Sequence, residues 1–196
     1  MQDTIRKPAV AGMFYPDDAA ELHAMIGDFL SQAKATDQPA PKAIIAPHAG
    51  YIYSGPVAAS AYKSLQAARG RIQRVVLLGP SHRVAFSGLA AASADYFATP
   101  LGDIPLDREA IEQILPMAQV KLLDEAHALE HSLEVHLPFL QEILGEFKLV
   151  PLVVGNADAS EVGEVLEKLW GGDETLIVIS SDLSHYHSYA TAQQLD

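Results

Sequence analysis

The sequence contains no cysteine. That excludes a disulfide framework, a zinc–thiolate site and thiol catalysis within these 196 residues. Basic residues are scarce too: 13 Lys and Arg stand against 25 Asp and Glu, a formal charge of −12, and the longest basic cluster is Arg69-Gly70-Arg71. Such a balance argues against nucleic acid or an anionic membrane as the main partner. No apolar run approaches the roughly 20 residues needed to span a bilayer. The charged stretch from Met1 to Pro8 lacks the apolar region of a secretion signal. A soluble cytoplasmic protein is expected. Also missing are a G-x-S-x-G elbow, a Walker loop, a G-x-G-x-x-G after the first strand and an H-E-x-x-H pair. What remains is a chain 49% apolar, enough for one packed core and too short for two. A single domain over residues 1–196 is expected.

Three apolar runs each end in a polar cluster that carries a histidine. Ala43-Ile44-Ile45-Ala46 leads into Pro47-His48-Ala49-Gly50-Tyr51, and Val75-Val76-Leu77-Leu78-Gly79 into Pro80-Ser81-His82-Arg83. Leu176-Ile177-Val178-Ile179 leads into Ser180-Ser181-Asp182-Leu183-Ser184-His185. Short β-branched runs suit strands buried on both faces of a mostly parallel sheet. Ligands of such sheets sit outside the carboxyl ends of the strands. His48, His82, His185 and Asp182 should therefore meet at one edge, as a metal or acid–base site. Phe147–Val154 reads as a further buried strand.

Between the strands the pattern turns helical. Leu22, Met25, Ile26, Phe29 and Leu30 recur at helical spacing behind Pro16-Asp17-Asp18. Ala35–Pro41 reads as a polar linker. Ser54–Ala68 is Ala-rich, with Pro56 in its first turn. Ala85–Phe97 reads as one or two short strands or a hairpin, and Thr99–Pro105 as a turn-rich connection. Asp107 opens a helix that Pro116 stops; Ser132–Leu144 is helical, with Pro138 kinking it or marking its true start. Ala159–Leu169 is amphipathic. Strands alternating with helices give an α/β fold, a three-layer sandwich around a central, mostly parallel sheet. The stretch from Ser188 to Asp196 begins a helix without a cap, which would leave the neighbour of the fourth strand missing and an edge exposed.

Each candidate side chain has a plain structural reading beside its functional one. His48 and His82 are turn histidines or metal donors, neutral imidazole being the commonest nitrogen ligand of zinc, iron and copper. Asp182 caps a helix or sits in a pocket wall, and His185 would serve as general acid or base. Tyr51 and Tyr53 offer a phenol to a bound oxygen, or pack with one wet end. Ser81 lines the same pocket. In the His- and Glu-rich stretch 125–136, Glu130 and His131 lie before the helix and suit a cleft wall, His131 joining Asp182 and His185 as a catalytic candidate. His127 and His136 read as a solvated helix start, His187 as a surface residue, and His23 as structural or exposed.

Five ordered stretches carry a resemblance. They are Arg6–Pro16, Ala46–Tyr51, Leu78–His82, Glu130–Pro138 and Ser180–His185. As a set the chain resembles the Memo family, whose bacterial and archaeal members are known as AmmeMemoRadiSam system protein B. The resemblance implies a phosphorylase/LigB-like sandwich similar to the class III extradiol dioxygenases, which use non-haem iron. It places a metal on His48 and His82, an acid–base histidine at His185, and Asp182 in the pocket wall. It also implies a cysteine ligand in a later segment, beyond the position matching Asp196, so a chain cut short is expected, with Asp182 or Glu130 as stand-in ligand. Fe(II) is the first expectation for the metal, with zinc or copper as alternatives. Three functions follow: a dioxygenase-like oxidoreductase, a scaffold binding a small molecule or peptide in the same pocket (as eukaryotic members act as signalling adaptors), or a metal-dependent hydrolase with His185 or Glu130 as base. A homo-oligomer is compatible with all three.

Overall fold

A computed structural model describes residues 3–34 and 38–195. Residues 35–37 of the expected linker lie outside the described residues. At the centre is a six-stranded sheet with the spatial order β2-β9-β3-β8-β4-β7. Its strands are β2 (Ala43–Ala46), β3 (Arg74–Pro80), β4 (Leu89–Ala91), β7 (Val120–Leu122), β8 (Lys148–Val154) and β9 (Thr175–Ser180). All neighbours run parallel except β4 against β8. A second sheet has the order β1-β5-β6, built from Ile5–Arg6, Tyr96–Thr99 and Gly102–Pro105.

The apolar runs form the interior strands because both of their faces are covered. Val75 to Leu78, Leu149 to Val153 and Leu176 to Val178 are all buried, with β9 held between β2 and β3. Pro151 in β8 is tolerated for a specific reason. Leu149 turns its carbonyl away from β3, to accept from the Asp107 amide. Residue 151 points the same way, two residues on, past the end of β4, where Ala91 pairs with Leu152. The amide hydrogen that proline lacks would lie beyond the last ladder pair, on the side of Ala92, whose carbonyl accepts from Arg108 instead.

Two groups of helices flank the sheet, giving the three-layer α/β sandwich. Helix α1 (Ala19–Gln32) packs on α2 (Tyr51–Lys63) and on α5 (Leu137–Leu144), and α3 (Arg108–Ile114) packs on α6 (Ala159–Leu169). Aspartates cap three of them: Asp18, Asp107 and Asp158 accept from first-turn amides, Asp158 within a full capping box. Two short helices remain, α4 (Asp124–Ala128) and α7 (Tyr189–Leu195), the latter with no buried residue.

Several expectations are corrected. Helix α2 starts at Tyr51, three residues before Ser54, so Pro56 lies inside it and removes the bond to the carbonyl of the exposed Ile52. Of the two readings of the segment 85–97 the short strands hold and the hairpin does not: β4 and β5 belong to different sheets, and residues 102–105, read as a turn-rich connection, form a strand that pairs back on β5. Residues 134–136 are a 3-10 turn and α5 begins at Leu137, so Pro138 sits at its start. The fourth apolar run has neighbours on both sides; the edge strands of this sheet are β2 and β7.

Candidate metal centre

The three strands that end in histidine-bearing clusters are neighbours in the order β2-β9-β3, so their carboxyl ends lie side by side. Ala46 is in register with Ser180, and the Ser181 amide donates to the Ala46 carbonyl. The clusters after β2, β3 and β9 are thus held within a few ångströms by backbone pairing alone.

His48 is buried and its tautomer follows from its neighbours. The Ser180 hydroxyl donates its single hydrogen to the Ser132 carbonyl at 2.6 Å. It can then only accept from His48 Nδ1, 2.7 Å away. His48 therefore carries its proton on Nδ1 and presents the Nε2 lone pair. His82 reaches the same state differently: its Nδ1 lies 2.8 Å from Glu130 Oε1, an acceptor, which leaves Nε2 free. The third ring is that of His131, stacked on His82 with centroids 4.5 Å apart; His48 lies 5.2 Å from His82 and 5.7 Å from His131 by the same measure. One nitrogen from each ring falls within 4.8 Å of the other two.

Glu130 organises two of the three. Its buried carboxylate accepts from the backbone amides of His82, His131 and Ser132 and from the His82 ring. Burial raises its pKa, but these donors outweigh burial and hold the carboxyl below its ordinary value. Burial depresses His48 and His131, against the pull of Asp182 and Glu130 respectively. Both rings are thereby biased to the neutral, metal-binding form. Asp182 accepts the His48 amide at 2.6 Å through Oδ1, while Oδ2 lies 3.8 Å from His48 Nε2 and 3.4 Å from His185 Nε2.

The loop carrying Glu130 and His131 is clamped from two sides. The Ser132 hydroxyl donates to the Pro80 carbonyl at the end of β3. Gly79 permits this approach: a Cβ there would stand 2.9 Å from both Ser132 Oγ and Leu133 Cδ2. From the other side, Glu134 accepts from the amides of Ala9 and Val10, from the Tyr15 hydroxyl and from Arg6, whose guanidinium also donates to the carbonyls of His127 and Glu130. The N-terminal stretch Arg6–Tyr15 is thus bonded to the segment that positions His131.

The structure brings together His48, His82, His131, Glu130 and Asp182 of the residues read from the sequence. His185 touches this group only through Asp182 and is largely exposed. The Ser81 hydroxyl donates to the Val84 carbonyl and lines a separate cavity of about 310 Å³ with Gly79, Val154, Val162 and Ser180. Tyr51 is corrected: its ring packs on Tyr15 and Phe139, and its hydroxyl is spent on the Val135 carbonyl. His127 and His136, read as solvated, are buried, the first bonded to the Ala90 carbonyl and the second to Tyr62. His187 is exposed, and His23 lies at the surface against Glu142. Ser180, Ser132 and Glu134 carry functions the sequence reading missed. The one available signal was the density of His, Glu and Ser in residues 130–136.

The family described as Memo-like protein matches residues 6–196. The chain belongs to the Memo family. Among its relatives, a MEMO1 family protein of Aquifex aeolicus is 41% identical, over 98% of this chain and 72% of its own length. Those of Ignicoccus hospitalis and Methanobrevibacter smithii are 38% and 36% identical, each over 98% of this chain and 73% of their own. Among the described residues, no helix is long and apolar enough to cross a membrane. The donor set fits a divalent transition metal of the borderline class that imidazole favours. Two lone pairs are fixed by hydrogen bonding, the His48 and His131 rings are biased to neutrality by burial, and Glu130 supplies the carboxylate–histidine support seen behind metal ligands.

Proposed function

We propose that this chain, its residues 1–196 forming one domain, holds a divalent metal, Fe(II) in the first instance and zinc or copper as alternatives, on His48, His82 and His131, in a pocket that serves a dioxygenase-like oxidoreductase. The observation that carries the reading is the pair of Nδ1 hydrogen bonds that leave Nε2 of His48 and of His82 as lone pairs aimed into one space. A bound Fe(II) ion would supply open positions for an oxygen-donor substrate and O₂. This chain's own residues do the rest. Glu130 and Ser180 fix the rings, Asp182 orients His185 Nε2 at 3.4 Å, and His185 moves a proton to or from the substrate.

A second reading has its own support. The His185 side chain is 58% exposed, and Tyr186, next to it, is the only non-glycine residue with positive φ among the described residues. So open an acid–base group suits binding of a small molecule or peptide without turnover.

The deciding experiment is metal analysis of protein prepared without oxygen, beside His48→Ala, His82→Ala and His131→Ala. A stoichiometric metal in the parent that each variant loses is the expected result; equal metal content in all four would remove the site. Oxygen uptake by the iron-loaded protein with a panel of catechols then separates the readings, since binding alone consumes none.

A further inference from the structure

Strand β1 stands at the end of the order β1-β5-β6, so one of its edges has no strand beside it. The register says which groups lie on that edge. Ile5 is opposite Tyr96 in a parallel pair, and the Tyr96 amide donates to the Thr4 carbonyl. Thr4 and Arg6 therefore turn their main-chain groups towards β5, and Ile5 and Lys7 turn theirs the other way. On that side the N–H and C=O of Ile5 and Lys7 have no hydrogen-bond partner among the described residues, and both residues are exposed. Pro8, which has no amide hydrogen, limits the open edge to these two.

The edge is set in a concavity. Thr4 to Ala9 line a cavity of about 580 Å³ whose facing walls are Ala92 to Ala94 and, from α4 and its end, Asp124 and His127 to Leu129. None of the candidate metal ligands lines it. Much of the wall is apolar, and Leu129 at its lip is 64% exposed. Donors and acceptors spaced as in a strand select another main chain as their partner. Walls facing the edge leave room for one extended segment. The β1 edge of a second copy would be recessed in the same way, so two copies cannot bring these edges together. Charge narrows the choice further. Asp124 lines the cavity, and Asp95 accepts from the amide and hydroxyl of Thr4, yet neither is within ion-pair reach of a lysine or arginine among the described residues. Of the two lining cations, Arg6 is paired with Glu134, which leaves Lys7 against two carboxylates in a chain of formal charge −12. A basic segment is favoured over an acidic one.

We propose that β1 is a docking edge for another protein: an extended segment, with apolar side chains at alternate positions and basic ones between them, adds to β1 as a further strand and seats its apolar side chains in the adjoining cavity. This site is separate from the metal centre and stands or falls independently of it.

The probe is an equimolar pool of acetylated, amidated hexapeptides that alternate valine, leucine or phenylalanine with lysine, titrated into isotope-labelled protein and followed by NMR. The amide signals of Ile5, Lys7 and Leu129 should shift saturably while those of His48 and His82 stay in place. Two further pools carry N-methyl groups, one on the apolar residues and one on the lysines. Because successive residues of a strand face opposite edges, one of these pools should lose binding and the other keep it. A pool with glutamate in place of lysine should bind more weakly than the parent pool. Ile5→Pro takes one donor from the open edge without touching the bonds to β5, and should lower affinity by about 2- to 10-fold. Ala128→Trp, at an exposed position, should fill the cavity and abolish the shifts. The peptide comparisons use the parent protein, so they decide the matter even if a variant fails to fold. No saturable shift at Ile5 and Lys7, shifts confined to the histidine cluster, or equal binding of both N-methylated pools overturns the docking edge. Equal binding of the glutamate pool overturns the basic character of the partner.

Discussion

At the scale of single residues, the cluster depends on side chains that never face the ligand space. Glu130 is the clearest case, because one buried carboxylate aims the His82 ring and ties down the loop that presents His131. Glu130→Gln keeps the shape but replaces one acceptor oxygen with a donor, against amides that are themselves donors. Metal affinity is expected to fall by roughly 10- to 100-fold, the usual effect of losing such support, as measured by competition with a chromogenic chelator; unchanged affinity would show that His82 is aimed by something else. The histidines after β2 and β3 were legible in the sequence because each follows a strand signal. Their tautomers were not. The state of His48 is set by a hydroxyl 132 positions away that spends its only hydrogen on a third residue. His127 and His136 misled for a related reason: within an acidic, His-rich stretch nothing local says that the Ala90 carbonyl and the Tyr62 hydroxyl will receive them in the core.

At the scale of elements, the strands that build the site could be read because continuous apolar runs four to eight residues long have few other uses. What stayed hidden was short or irregular. A two-residue strand such as β1 has no period, β6 is rich in turn residues, and α2 is capped by Gly50, which offers no side-chain signal. The contact between the end of β3 and the loop at residues 131–133 also belongs to this scale. Gly79→Ala would push a methyl group against Ser132 and Leu133. We expect a loss of about 1–3 kcal/mol in urea denaturation, as for other overpacked interiors, together with weakened metal binding. A variant as stable as the parent would mean that this loop yields freely.

At the scale of the whole molecule, acid sensitivity is built into the core. Burial lowers the pKa of His127 to about 4 and that of His136 to about 3, from an ordinary 6.5. In both cases the unfolded chain binds the proton more tightly than the folded one. Their effect on stability is therefore nil above pH 6.5 and turns unfavourable as pH falls from there towards the folded values. The slope is up to about 1.4 kcal/mol per pH unit for each ring. Chemical denaturation between neutral and mildly acid pH should show the midpoint falling over this window, and His136→Phe should flatten the fall; a flat profile for the parent would contradict the burial of these rings as neutral species. The position of β2 has a different consequence. One of the three imidazoles is borne just beyond a four-residue strand at the rim of the sheet, while another follows an interior strand. Fraying of that rim, the easiest opening available to a parallel sheet, would carry His48 away from its companions while the interior strands of the sheet stayed paired. Occupancy of the pocket and protection of the amides at 43–46 from solvent exchange would then rise and fall as one quantity, and a tightly held ion would act as a rivet on the outermost strand.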